Sequence, residues 1–232
     1  MKTLCTASRI AGAMLASALL LLSSGTRAQG KDEGSAPAIA AIAATAVATA
    51  PTASADQAAR KVAASICASC HGATGASDSP LFPRLAAQQE PYLKAQLKAF
   101  KAKTRGEKDA HDYMWGMATL LDDDVIDGLA RYYAAQTPAP GIPGDPELIA
   151  RGQQLYENGD TARQVTSCAT CHGAGAEGVA IFPRLAGQHA AYVVRQLDVI
   201  QRQFRDSPVM HGVIKALSPA EMKAVAEYLQ SR

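Results

Sequence analysis

Cysteine is scarce in this chain, and beyond the N-terminal leader every one falls in a motif. Of five cysteines in 232 residues, Cys5 lies near the N-terminus and the other four fall within two short motifs. No structural disulfide is therefore expected. An excess of charge is missing too: 23 Lys and Arg face 21 Asp and Glu. The first 28 residues hold Lys2, Arg9 and Arg27 and no acid, so their removal leaves 20 basic and 21 acidic residues, net −1. Nucleic-acid binding needs a basic face, and this balance argues against it. The leader also lacks a long apolar run. Its apolar stretch, residues 10–22, falls short of the roughly 20 residues that cross a bilayer. Basic residues, a short apolar stretch and small residues up to Ala28 read as a signal peptide over residues 1–28. An uncleaved anchor is the alternative. Export implies the periplasm.

The four remaining cysteines are what the chain does have. They form Cys67-Ala68-Ser69-Cys70-His71 and Cys168-Ala169-Thr170-Cys171-His172. A CxxCH motif reads as a covalent attachment site for c-type haem. Two residues between the thiols let both sulfurs reach the two vinyl groups on one porphyrin edge. The following His lies under the ring and gives a nitrogen to iron. A zinc cluster or a dithiol redox pair is the competing reading. Zinc does not need His directly after the second Cys on both occasions. A thioredoxin-like motif follows a strand, whereas residues 57–66 and 146–158 read as helices.

The chain repeats around these motifs. CASCHGATGASDSPLFPRLAAQ begins at Cys67 and CATCHGAGAEGVAIFPRLAGQ at Cys168. Tyr92, Gln96 and Leu97 recur as Tyr192, Gln196 and Leu197. Each half closes on an amphipathic helix, residues 122–136 and 218–231. Ser218-Pro219-Ala220-Glu221 is a capping box, and Asp122 takes the N-cap place in the first half. Residues 137–145 are too rich in Pro and Gly for a helix or an inner strand and read as a linker. Residues 29–55, rich in Ala, Thr and Pro, read as a flexible tether; a weak helix over 39–50 lying on a membrane is the alternative. The expected architecture is all-α, with domains at 56–136 and 146–232. Domains of 80 to 90 residues are marginal on their own cores, and a haem in each supplies the missing apolar centre.

His71 and His172 fill one axial position each. Candidates for the other are Met114, Met117, Met210, Met222, His111, His189 and His211. Met114 stands seven residues before Leu121, and Met210 seven before Leu217, at matching places in the repeat. The three histidines have no His at their counterparts and read as surface residues. A thioether on iron favours the reduced state and leaves no open coordination position. Two such centres suit electron transfer. The carbonyls of Pro83 and Pro183 are placed to accept the His Nδ1–H. Arg84 and Arg184 are candidates for the haem propionates; Tyr92 and Tyr192 either join them or pack.

From residue 56 to the C-terminus the sequence resembles the dihaem cytochromes c4. The resemblance rests on the two CxxCH motifs, each followed by FPRLA, and on a Met before each final helix. It implies two tandem cytochrome c domains related by a pseudo-twofold axis, and two covalently bound haem c. It implies His71, Met114, His172 and Met210 as axial ligands. It implies a periplasmic electron carrier, membrane-associated in many members, working with redox partner proteins: a quinol-oxidising complex as donor and a terminal oxidase as acceptor. The long tether departs from the family pattern. A dihaem subunit of a dehydrogenase complex is the alternative, and a dihaem peroxidase a weaker one. Lys94, Lys98, Lys101, Lys103, Arg105 and Lys108 read either as a solvated helix face or as a docking patch for an acidic partner.

Overall fold

The computed structural model describes residues 52–232. The expected signal peptide and most of the tether lie outside the described residues. The tether's last residues do not: α1 (Thr52–Val62) begins inside it. Ala53 and Ala55 are strong helix formers and extend the helix backwards.

The described residues are helical and irregular, with isolated bridges in place of strands. The first half runs from α1 through a π-helical turn (Ala63–Cys67) into α2 (Ala68–His71). There follow α3 (Glu90–Lys101), a second π-turn (Ala110–Met114), α4 (Trp115–Thr119) and α5 (Asp123–Ala134). The second half has α6 (Pro146–Asn158), a 3-10 turn (Thr161–Arg163), α7 (Ala169–His172), α8 (Ala190–Gln201), α9 (Pro208–Ile214) and α10 (Pro219–Gln230). Among the described residues no helix is long and apolar enough to cross a membrane.

Local chemistry sets the boundaries. Asp145 accepts from the N–H of Glu147 at 2.9 Å and of Leu148 at 3.2 Å, and Pro146 opens α6. Ser218 and Glu221 cap α10 reciprocally, as the sequence reading expects. Asp122 takes the N-cap position of α5 without a side-chain cap bond. Its charge and those of Asp123 and Asp124 still face the positive end of the helix.

In each half the first helix crosses the last, α1 on α5 and α6 on α10. Both crossings are too close for ordinary side chains. A Cβ on Gly152 of α6 would stand 2.0 Å from the Ala224 carbonyl oxygen, and one on Gly128 of α5 2.7 Å from the Ala59 Cβ. The glycine thus lies on the first helix in one half and on the last helix in the other. The second core is the larger, with Tyr156, Ile214, Met222, Tyr228 and Leu229 buried together. The first is built mainly from Ala59, Ala63, Leu93, Leu129, Ala130 and Tyr133.

Residues 137–145 form neither helix nor strand, as expected, yet they are not loose. Ile142 N–H donates to the Gln230 carbonyl at 2.9 Å, which lays the linker on the end of α10.

The cap of α10 carries a pH signature. The Arg163 guanidinium, then Ser218, hold the Glu221 carboxyl down to about 2. Arg163 Nη2 and Nη1 lie 2.5 and 3.1 Å from the two carboxylate oxygens. A depressed folded pKa stabilises above the unfolded value, about 4.3, and the contribution is lost as pH falls through the folded one. Glu221→Gln should therefore flatten the loss of stability between about pH 4 and pH 2, by on the order of 1 kcal/mol for a part-exposed pair. Thermal unfolding followed across that range checks it; parallel acid profiles for the two proteins would contradict it.

Candidate functional site

Each CxxCH motif sits on a single helical turn, α2 or α7, that ends at its His. A glycine follows in each case. Gly72 and Gly173 take φ of 77° and 84°, a conformation L side chains rarely adopt, and turn the chain out of the helix. The chain then loops back so that the proline carbonyl reaches the imidazole. His71 Nδ1 donates to the Pro83 oxygen and His172 Nδ1 to the Pro183 oxygen, each at 2.9 Å. This return is pinned by backbone bonds. Leu85 and Ala86 N–H donate to the Gly75 oxygen, and Leu185 and Ala186 N–H to the Ala176 oxygen. Phe82 and Phe182 present their edges to the two imidazoles, with centroids 6.1 and 6.2 Å apart.

The imidazoles are prepared as neutral ligands. Burial pushes both below the ordinary His value, opposed by the bond to the proline carbonyl. With the proton on Nδ1, the Nε2 lone pair is left over. His172 Nε2 is buried and has no hydrogen-bond partner among the described residues. An unpartnered buried nitrogen is costly unless something occupies the space in front of it.

That space is a cavity of about 1000 Å³. Cys67, Cys70, His71 and Met114 line it from the first half, and Cys168, His172 and Met210 from the second. Its walls are mostly apolar, including Leu93, Leu97, Leu129, Val193, Leu197 and Leu229. The four motif cysteines are free thiols. Burial pushes the Cys168 thiol up to about 11 and raises Cys67 as well. Thiols, imidazoles and an apolar slot fit a covalently held haem. Among the described residues no three His, Cys, Asp or Glu converge as metal ligands, so the zinc reading has no donor set.

The axial candidates separate. Met114 closes the second π-turn and Met210 lies in α9; both are partly buried and line the cavity. Met117 lines it too, half exposed. Met222 is buried in the second core. His111 is exposed beside Asp112, and His211 meets the Ile200 carbonyl at 3.3 Å. His189 corrects the sequence reading. It is 2% exposed, and its Nε2 meets the Ser77 carbonyl of the other half at 2.8 Å.

Arg84 also departs from expectation. Its guanidinium donates to the carbonyls of Ser77, Pro140 and Gly187, so it ties the first half to the linker and to the second half. Among the described residues Nη2 of Arg84 and the whole guanidinium of Arg184 have no hydrogen-bond partner.

The halves also clasp each other through backbone. The Gln88 side chain accepts from Arg184 N–H at 2.7 Å and donates to its carbonyl at 2.9 Å. Gln188 does the same to Arg84, at 2.9 Å both ways. This exchange has the form of an isologous contact, as a pseudo-twofold demands. A second cluster at the boundary, missed from the sequence, contains Arg105, Arg205, Gln96, Gln196 and Tyr92. The 100-residue recurrence of its Arg and Gln members was the available signal.

The basic cluster is largely an ion-paired, exposed helix face. Lys94 pairs with Asp127, Lys98 and Lys101 with Asp123, and Lys108 with Asp112. Lys103 lies over the Trp115 ring, and Arg105 is buried. Read along the chain, the lysines look unopposed; α3 packed on α5 opposes three of them.

Comparison with known proteins agrees with this geometry. The "Cytochrome c" family profile matches residues 56–134 and 149–232. A cytochrome c4 of Pseudomonas aeruginosa is 36% identical over 75% of this chain and 88% of its own. A thiosulfate dehydrogenase electron acceptor of Thiomonas intermedia is 35% identical over 77% and 83%. A solved cytochrome c4 of Acidithiobacillus ferrooxidans superposes with a TM-score of 0.68 at 38% identity, over 72% of this chain and 98% of that one.

Proposed function

Since the chain belongs to the cytochrome c family and matches dihaem cytochromes c4 across both of its halves, we propose that each CxxCH crevice holds one haem of an electron carrier in the periplasm. The carrier class is common to these relatives: two covalently bound haem c, and electron transfer rather than catalysis. Each haem, when bound, supplies a one-electron iron couple.

The chain's own residues do the rest. Cys67 and Cys70 fix the first ring and Cys168 and Cys171 the second. His71 and His172 present Nε2 to the iron. Pro83 and Pro183 orient these imidazoles and raise their basicity. Met114 and Met210 line the same cavity and would offer their thioethers to the iron, leaving no place for water, oxygen or peroxide. Arg184 and Nη2 of Arg84 remain for the propionates. The observation that carries this reading is the buried, unpartnered His172 Nε2 opening on a cavity that both motifs share.

The acceptor in this reading is a terminal oxidase and the donor a quinol-oxidising complex. The relative named as a thiosulfate dehydrogenase electron acceptor favours a second donor, a thiosulfate-oxidising enzyme. A redox titration with visible spectra tests the core of the proposal. Two one-electron steps with His/Met spectra are expected. One haem per chain, or a high-spin centre with rapid peroxide turnover, would overturn it. Mixing with each candidate donor then separates the two partner readings by rate of reduction.

A further inference from the structure

Each motif histidine leans on a peptide group that the other half holds. His172 Nδ1 donates to the Pro183 oxygen at 2.9 Å, and that carbonyl shares its peptide bond with the Arg184 N–H. The Arg184 N–H donates in turn to Oε1 of Gln88, in the first half, at 2.7 Å. The mirror chain runs from His71 Nδ1 to the Pro83 oxygen at 2.9 Å, and from the Arg84 N–H to Oε1 of Gln188 at 2.9 Å. Among the described residues neither of these backbone N–H groups has a partner in its own half.

Neighbours fix the orientation of the two side-chain amides. Gln88 Oε1 also accepts from the Gln89 N–H at 2.9 Å, and Gln188 Oε1 from the His189 N–H at 3.1 Å, so each oxygen faces two donors. The amide nitrogens face the carbonyls of Arg184 and Arg84, each at 2.9 Å. Flipping either amide would set donor against donor and oxygen against oxygen. Gln88 and Gln188 are 7% and 8% exposed, so little water competes for these bonds.

A planar peptide transmits polarisation. An acceptor on its N–H draws electron density onto its oxygen through the C–N resonance, and hydrogen bonds in a chain strengthen one another. A stronger Pro183 acceptor pulls harder on the His172 Nδ1–H and makes Nε2 a more basic ligand. A more basic ligand favours oxidised iron and so lowers a potential. We propose that Gln88 is a positioning residue for the haem of the second half, and Gln188 for the haem of the first. Each holds a potential down through the peptide beneath the other half's histidine. The control is crossed rather than local. It rests on the haem placement argued above, and it assigns ligand strength to a residue two hydrogen bonds behind each histidine.

The test uses the full-length holoprotein, with midpoint potentials from spectroelectrochemistry and each haem assigned by its shifted methyl resonances. Gln88→Met keeps the length of the side chain and removes both bonds to Arg184. It should raise the potential of the haem held by His172 and leave the one held by His71 nearly unmoved. The reduction equilibrium should shift by about two- to fivefold, less than the roughly tenfold that losing a direct partner of a metal-bound His costs. At about 59 mV per decade, that is roughly 20–40 mV. In the reduced protein the His172 Nδ1–H resonance should move upfield as its bond weakens, and that of His71 should stay. Gln188→Met should give the converse pair of changes. A loosened boundary alone would not cross the effects over in this way. A larger shift at the haem of the mutated half, equal shifts at both, or no shift overturns the proposal. Should a Met variant fold poorly, Gln88→Glu decides, because it keeps an acceptor for the Arg184 N–H. It should lower the potential of the His172 haem more than that of the His71 haem; equality or the reverse order overturns the proposal. A wild-type protein without two haems would instead overturn the placement itself.

Discussion

Exchanging Met210 for His should lower the potential of one haem and leave the other nearly unmoved. Met210 sits in α9, partly buried, on the wall of the cavity that His172 faces. A thioether favours reduced iron, and a second imidazole favours the oxidised form. The drop should be on the order of 100 mV or more, within the roughly 0.8 V that axial ligands span. About half of the weak Met–iron band near the red end should vanish with it, since one of two such centres is changed. Met114→His should do the same to the other haem. Met117 supplies the control, because it lines the same cavity three residues on. Met117→His should move neither potential. If it moves one while Met114→His does not, the ligand of the first half has been misassigned.

Gly152→Val should unfold the second half at a markedly lower temperature. The Cβ would land 2.0 Å from a backbone oxygen of α10 and 2.9 Å from the Tyr228 Cβ. Neither is the free end of a flexible side chain, so α6 and α10 must separate. Overpacking of this kind costs about 1–3 kcal/mol or more, roughly 5–10 °C in a protein of this size. Gly128→Ala should be milder, since its nearest obstruction is a methyl group at 2.7 Å. Calorimetry of the holoprotein separates the cases. Equal melting temperatures for wild type and Gly152→Val would refute the close crossing. Haem yield should fall alongside stability, because the same helices wall the crevice.

Much of the site was legible because it is local. Cys, Cys and His stand within one turn, and the proline that supports each His follows eleven or twelve residues later. The repeat brought Met114 and Met210 forward, and the structure sets both on the cavity. What escaped was long-range. Lys94 meets Asp127 only once α3 packs on α5. His189 reads as a surface residue until the first half covers it with Ser77. Arg84 looks free for a propionate, yet it meets carbonyls more than fifty residues away. Hydrophobic period and motif spacing say nothing about which polar groups two domains will share.

The glutamine exchange has a consequence for heredity. Gln88 grips the backbone of Arg184, the residue next to the proline that supports His172, and Gln188 grips its mirror image. Each half thus keeps a spare part of the other. A mutation that alters one glutamine is expressed in the neighbouring domain, where its own sequence is intact. Two copies joined this way cannot drift apart as independent duplicates do: each constrains which changes its twin can keep.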